Sequence, residues 1–524
     1  MFNVNYKDKK YCIIIFYLLL CVKRGDTMKY LKNFLIVLLA FILMIIPGLS
    51  ASAQAVNYTA DCPYVFVHGF MASTIYVNPD DPNSEAAWPP SSDKILAAVK
   101  SALPYIGKLL INHNWNEFGN KVVPIVKELF EPIMLGSDGN VKDKSGVRWS
   151  YPAAETISKT SQLEFVYDWR LSPIETAASL DDFIDYVLDC SGADQIVLEC
   201  HSYGGIIANT YAKLYGTSKV RSWLFNSTAI YGETYTGDLM TGNMHFDADA
   251  LTAYLKGAFD YNQYEEILNA LFAILNEAGV TGSLMDLTNL MVEKIGDQVV
   301  RECIAPMFGG WLSIWAMIPD EKINEACSYV FDTVYKDTST DWSGLKEKIT
   351  EYNTKVRPYK TDTLKQIDYT SNLYVVSRYG YSGMFLTPSW QTATDMIIDV
   401  KYSSFGATSA NYNCKLSDDY VKNVDSKYIS PDKSVDASSC LFPEQTWFIR
   451  HFTHASSCDN FETFKKTLLY YNGQATVDTF EEYPRFMYYD EDSCELTIDT
   501  LNDNNKNFID KIKDFLNLNK LITL

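Results

Sequence analysis

Glycine and proline are scarce, at 26 and 18 among 524 residues, and neither clusters into a biased linker. Collagen-like and low-complexity architectures are therefore excluded. Basic side chains are also few: 45 Lys and Arg stand against 65 Asp and Glu, a formal net charge of -20. That field repels phosphate backbones, so nucleic acid is not an expected partner. No Cys-x-x-Cys pair offers a zinc or redox centre, no internal repeat is present, and only six His are available for base or metal chemistry. Neither metal nor cofactor is expected. What is present, 47% hydrophobic and 21% charged residues, describes a folded chain long enough for one large enzyme domain with insertions. The aromatic share of 14% suits a surface that meets lipid or sugar.

The amino terminus reads as an address. Residues 34–46 are an unbroken apolar run, preceded by Lys29 and Lys32 and followed by Pro47, Gly48 and the small-residue run 50–55. Basic, apolar, breaker and Ala-x-Ala in that order are the parts of a secretory signal peptide. The run falls short of the roughly 20 residues that span a bilayer. Export is expected, with residues 28–55 as the signal and a membrane anchor as the alternative if it stays uncleaved. Residues 1–27 carry a second apolar run ahead of Met28, which is the expected initiator. Eleven Cys are present, two of them in that upstream segment, so an odd number remains. Export permits disulfides, and Cys440 with Cys458, or Cys303 with Cys327, are candidate pairs.

Short runs rich in β-branched and aromatic residues at 64–67, 163–167, 195–200, 220–225, 373–377 and 446–450 read as buried parallel strands. Amphipathic patterns at 181–188 and 206–214 place helices between them, which predicts an α/β fold with a mostly parallel central sheet. Two connections, about 71–161 and 232–367, are too long for loops and are expected to be inserted subdomains with helical content. The first holds helical stretches at 93–110 and 122–130. In the second, apolar residues between Ile267 and Leu275 give one helix a face that packs or contacts a membrane. The expected domain runs over 56–458, followed by a covering helix at 460–471 and, from 478 onward, a hairpin and terminal helix within an appendage of 459–524.

Strand 195–200 runs directly into His201-Ser202-Tyr203-Gly204-Gly205 before the next helix. A serine at so sharp a turn is held in strained geometry with its hydroxyl exposed, and the following glycines let the helix approach the strand. Ser202 is the expected nucleophile, although Cys200 stands where the usual Gly-x-Ser-x-Gly pattern has its first Gly. The first strand ends in His68-Gly69-Phe70-Met71, so the backbone N–H groups of Phe70 and Tyr203 are the expected oxyanion donors. His68 capping the strand and Gly69 merely turning the chain are the plainer alternatives. His68 and His201 flank other parts of the site, and His113 and His245 fall in or beside the insertions. That leaves His451, which continues its strand, and His454 in the loop beyond it, the expected base. For the acid, Asp432 comes first and Asp436 second, each open to being an ordinary loop aspartate. The pair His451-x-x-His454 is weak support for a metal.

The block Tyr167-Asp168-Trp169-Arg170-Leu171-Ser172-Pro173, followed by a helix and the Ser202 turn, resembles the lecithin:cholesterol acyltransferase family, which includes lysosomal phospholipase and phospholipid:diacylglycerol acyltransferase. Gly146-Val147, the run from Gly310 to Pro319, and the Asp432 and His454 loops fall in the family's order. The resemblance implies an α/β-hydrolase core with helical cap and lid insertions, a Ser202, Asp432, His454 triad with Phe70 and Tyr203 as oxyanion donors, and acyl transfer from a phospholipid or other lipid ester to water or an alcohol. The chain departs from the family at Cys200, at Tyr203 and in the setting of Asp432. Asp168, Trp169 and Arg170, with His68 and Gly69, are candidate site-shaping residues, Asp168 and Arg170 also reading as a structural clamp. The expectation is a secreted, cofactor-free serine esterase that meets lipid surfaces transiently. The alternative is an exported lipid- or glycan-binding protein that has lost catalysis.

Overall fold

A computed structural model describes residues 60–500, apart from 245–246, 248, 251–252, 255–256, 258–289, 291–292, 295–297, 337–338 and 491–492. The signal peptide, the upstream segment, the 267–275 helix and the terminal helix expected from sequence lie outside the described residues. Among the described residues no helix is long and apolar enough to cross a membrane.

Eight strands form the central sheet: β1 Tyr64–Val67, β2 Gln162–Phe165, β3 Ile196–His201, β4 Val220–Asn226, β5 Asn372–Tyr379, β6 Thr446–Arg450, β7 Phe486–Asp490 and β8 Glu495–Ile498. Their spatial order is β8-β7-β6-β5-β4-β3-β1-β2. Every neighbouring pair is parallel except β7 with β8, which is antiparallel. The middle strands are buried on both faces, which is why they read as continuous apolar runs rather than alternating ones.

Crossovers between parallel strands require helices. Pro173–Ser191 (α3) joins β2 to β3, started by Ser172, whose hydroxyl accepts the N–H of Ile174, and stopped by left-handed Gly192. Gly204–Tyr215 (α4) joins β3 to β4. Asp459–Leu469 (α7) follows β6 and lays Phe461, Phe464 and Leu468 on the face formed by Val197, Leu224, Tyr374, Val376, Trp447 and Ile449. The opposite face carries Phe448 and Tyr379, packed with Val435 and Cys440. Two further helices, Thr234–Met240 (α5) and Lys360–Thr370 (α6), belong to the long connection between β4 and β5.

The chain separates into two compact units. The smaller contains Ser92–Asn112 (α1) and most of Trp115–Phe130 (α2), packed through Ala102, Leu109, Phe118, Val122 and Val299. Ser91 caps α1 at its start, and His113 closes it in the left-handed conformation. The larger unit holds the central sheet and the candidate site.

Candidate active site

Ser202 follows β3 with φ at 57°, a region that bulky residues rarely occupy and that costs about 1–3 kcal/mol. The surrounding backbone enforces it. Ser202 donates its N–H to the Asn226 carbonyl at 3.2 Å, and its own carbonyl accepts from Gly205 and Ala229, each at 3.1 Å. Helix α4 starts so close to β1 that a Cβ on Gly204 would lie 2.3 Å from the Val67 carbonyl oxygen. From the other side, a Cβ on Gly69 would lie 2.7 Å from Ser202 Cβ. Both glycines are required by close approach. Cys200 is fully buried and its thiol donates to the Leu224 carbonyl at 3.4 Å. Burial pushes that thiol well above its usual range, so it stays protonated and unreactive.

The base loop begins after β6. His454 Nδ1 lies 2.7 Å from Asp395 Oδ2, with Asp395 fully buried. Because a carboxylate only accepts, Nδ1 carries the proton and Nε2 is left to receive another. Asp395 is itself fixed: its Oδ1 accepts the N–H groups of Ile398 at 2.8 Å and Ile397 at 3.1 Å, and its carbonyl accepts the His454 N–H at 2.8 Å. The base loop meets the serine turn through His201, whose Nε2 donates to the His454 carbonyl at 3.1 Å and whose ring lies 4.5 Å from the His454 ring. Desolvation, then the neighbouring His454 and Arg378, hold His201 well below the usual imidazole range, so it stays a neutral donor.

The structure brings neither Asp432 nor Asp436, the aspartates expected as the acid, to His454. Asp432 accepts from the Ser430 hydroxyl at 2.6 Å and from the Ser434 hydroxyl at 2.8 Å, tying its own turn around left-handed Lys433. Asp436 accepts from the Tyr420 hydroxyl and caps a short helix through the Ser438 N–H, both at 2.8 Å. Both aspartates organise the loop ahead of β6, whereas the partner of His454 comes from the segment after β5. The sequence held a signal for it: Asp395 is the first carboxylate after the strand at 373–377.

On the other side of Ser202, His68 is buried and stacked on Tyr167, ring centroids 4.4 Å apart. Its Nδ1 donates to the Gly69 carbonyl at 2.9 Å, and its Nε2 accepts the Ser73 hydroxyl at 2.6 Å. Burial, only partly offset by the Gly69 carbonyl, lowers His68 to about 4. This second Ser–His pair braces the end of β1 against the chain that follows it, with the imidazole neutral near pH 7. Tyr167 adds a hydroxyl bond to the His68 carbonyl at 2.7 Å. Among the described residues, neither the Phe70 nor the Tyr203 N–H makes a backbone hydrogen bond.

Asp168 and Arg170 form a buried, bidentate pair, Arg170 Nε to Oδ1 at 2.9 Å and an Arg170 terminal nitrogen to Oδ2 at 2.6 Å. Arg170 also donates to the Ile133 carbonyl and to the Ser145 hydroxyl and carbonyl. It clamps chain segments together and leaves no donor for a ligand. Trp169 donates to the Ser73 carbonyl at 3.0 Å and packs edge-on to Phe70 and Trp311. The Arg170 carbonyl accepts the Leu312 N–H at 3.0 Å. The segment at 310–319 thus sits directly on the Asp168 block and on Phe70.

The cysteine pairs expected from sequence do not form: Cys440, Cys458 and Cys327 are free thiols. Cys440 and Cys458 pack on opposite faces of the sheet. Among the described residues no three His, Cys, Asp or Glu side chains gather as a metal site requires.

No protein-family model matches the chain, and no curated protein matches it. Among solved structures it is similar to a chain of the crystal structure of the Tle4-Tli4 complex, at 15% identity, over 35% of this chain and 48% of that one, with a TM-score of 0.20. This chain therefore spans about half the length of that one. So distant a likeness decides neither fold nor chemistry.

Proposed function

We propose that this chain is an exported serine esterase with α/β-hydrolase architecture, in which Ser202 is the nucleophile, His454 the base and Asp395 the acid. The observation that carries the reading is the 2.7 Å contact of His454 Nδ1 with the Asp395 carboxylate, on a loop joined through His201 to the turn that holds Ser202 at φ 57°. In this reading Ser202 Oγ attacks the ester carbonyl carbon while its proton passes to His454 Nε2, and Asp395 stabilises the imidazolium. The carbonyl oxygen becomes negative facing the N–H groups of Phe70 and Tyr203. Collapse returns the proton from His454 to the leaving alcohol. Water then enters by the same route in reverse and releases the acid; an alcohol entering instead would make the reaction an acyl transfer.

The substrate class we favour is a lipid ester. Its support is the resemblance of the Asp168 block and the 310–319 run to the lecithin:cholesterol acyltransferase family, together with the packing of both segments on Phe70. A fluorophosphonate probe tests the chemistry, and a panel of lipid and sugar esters tests the substrate. Labelling should vanish in Ser202→Ala, with fatty acid released from lipids by wild type. A folded wild type that takes no label would instead make this an exported binding protein.

A further inference from the structure

Behind the base loop lies a buried polar array that none of these steps uses. Arg378, at the carboxyl end of β5, is 2% exposed. One of its terminal nitrogens donates to three carbonyls of the base loop: Thr453 at 2.8 Å, His454 at 3.0 Å and Ser456 at 2.9 Å. The other donates to Asn226 Oδ1 at 2.9 Å. Asn226, at the end of β4, passes the connection on by donating Nδ2 to Glu199 Oε1 at 3.0 Å. Glu199 belongs to β3, three residues before Ser202, and also accepts from Lys465 of α7 at 2.9 Å and from the Tyr64 hydroxyl. Phe452 and Phe461 cover the guanidinium, with centroids 4.6 and 4.9 Å from its carbon.

We infer that Arg378 is a positioning residue for the base: its guanidinium sets the backbone of the His454 loop, and Asn226 and Glu199 tie that clamp to the strand ending in Ser202. The inference rests on His454 being the base. A guanidinium is suited to this place because its planar fork serves the loop carbonyls with one nitrogen and Asn226 with the other, while its faces lie against the two rings. A lysine would keep the charge but offer a single point donor, losing one end of the connection. The carbonyls it holds include that of His454, which also accepts from His201, so loosening the clamp shifts the imidazole relative to the serine without touching substrate. Displacements of about 1 Å in such a pair cost on the order of 10²-fold in rate.

The test compares wild type, Ser202→Ala, Arg378→Lys and Asn226→Ala on a soluble p-nitrophenyl ester. It also follows fluorophosphonate labelling rate and the downfield proton resonance of His454 Nδ1–H. For Arg378→Lys we expect kcat, corrected for the folded fraction, to fall on the order of 10²-fold with KM within about threefold. Labelling should slow in parallel, and the downfield resonance should broaden or move. Asn226→Ala removes only one end of the connection and should show the same pattern at about tenfold, which keeps the test open if Arg378→Lys does not fold. Folded variants with wild-type kcat and an unmoved resonance would overturn the inference while leaving the triad standing. A loss of kcat accounted for entirely by unfolding would do the same. Absence of labelling and of the downfield proton in wild type would remove the base itself, and the positioning role with it.

Discussion

Asp395 gives one carboxylate oxygen to two backbone N–H groups and the other to His454, so it cannot turn away from the imidazole. Replacing it by Asn should keep the turn but favour the wrong tautomer, lowering kcat by about 10³–10⁴-fold. Asp432→Asn, which disturbs only a serine-rich turn, should leave kcat within about threefold. Steady-state kinetics on one ester decides between them. The partner of His454 was hard to read from sequence because aspartates in turns look alike: Asp432 and Asp395 both stand before residues able to donate N–H groups, and only the folding of the segment after β5 brings one to His454. Asp399, four residues on, gives a second prediction. It accepts the Thr234 N–H and hydroxyl, both at 2.8 Å, with the charges of Glu233 and Lys401 nearby. Burial raises its carboxyl from 3.8 to about 6. A raised folded value means its stabilising contribution is full below the unfolded value and is lost as pH rises through about 6. Asp399→Asn should therefore gain stability relative to wild type between pH 4 and 7, by about 2–3 kcal/mol. Urea denaturation at both pH values checks this, and a difference that does not change with pH would refute it.

Strands were the most legible elements, since those buried on both faces leave an apolar run that a solvated element cannot carry. The runs at 64–67 and 446–450 coincide with β1 and β6, and those at 195–200 and 220–225 fall within a residue of β3 and β4 at each end. The turn after β3 was legible for the same reason, because its glycines are spaced by contact rather than by composition. Gly204 is the sharpest instance: a methyl group there meets the Val67 and His68 carbonyl oxygens at 2.3 and 2.6 Å. Backbone atoms cannot swing aside, so Gly204→Ala should push α4 off β1 and cost about 1–3 kcal/mol or more. Thermal melting gives the stability, and probe labelling should fall with it because the same helix anchors Ser202. The Trp169 block was legible as a cluster, and the clamp between Asp168 and Arg170 was one of the two roles read for it. Its aspartate and arginine satisfy each other and three neighbouring groups, and a motif states composition without stating which groups are left over.

At the scale of the whole chain, burial rather than crosslinking holds the larger unit together. All eight cysteines placed with their side chains are free, and Cys440 and Cys458 are kept apart by the sheet itself. Excess dithiothreitol should thus leave Tm within about 1 °C, whereas loss of a disulfide worth about 2–4 kcal/mol would lower it by several degrees. The carboxyl-terminal hairpin, which sequence suggested only as an appendage, is an integral edge: β7 extends the parallel sheet beside β6 and β8 closes it. A buried ion pair adds to this sheet pairing and to the packing of Met487 and Leu496. Asp499, fully buried in its side chain, receives Arg450 Nε at Oδ2 and a terminal Arg450 nitrogen at Oδ1, each at 2.8 Å. Arg450 is the last residue of β6, one position before the loop that carries His454. Removing one member of such a pair leaves a desolvated charge and costs about 3–5 kcal/mol. Asp499→Ala should therefore destabilise the protein by that order in a denaturant titration. Because β6 launches the base loop, the labelling rate of Ser202 should fall even below the melting transition. Replacing the pair with apolar residues of similar volume, Arg450→Met with Asp499→Leu, should recover most of the stability, and recovery of labelling in that double variant would show that the hairpin supports the site by packing rather than by charge.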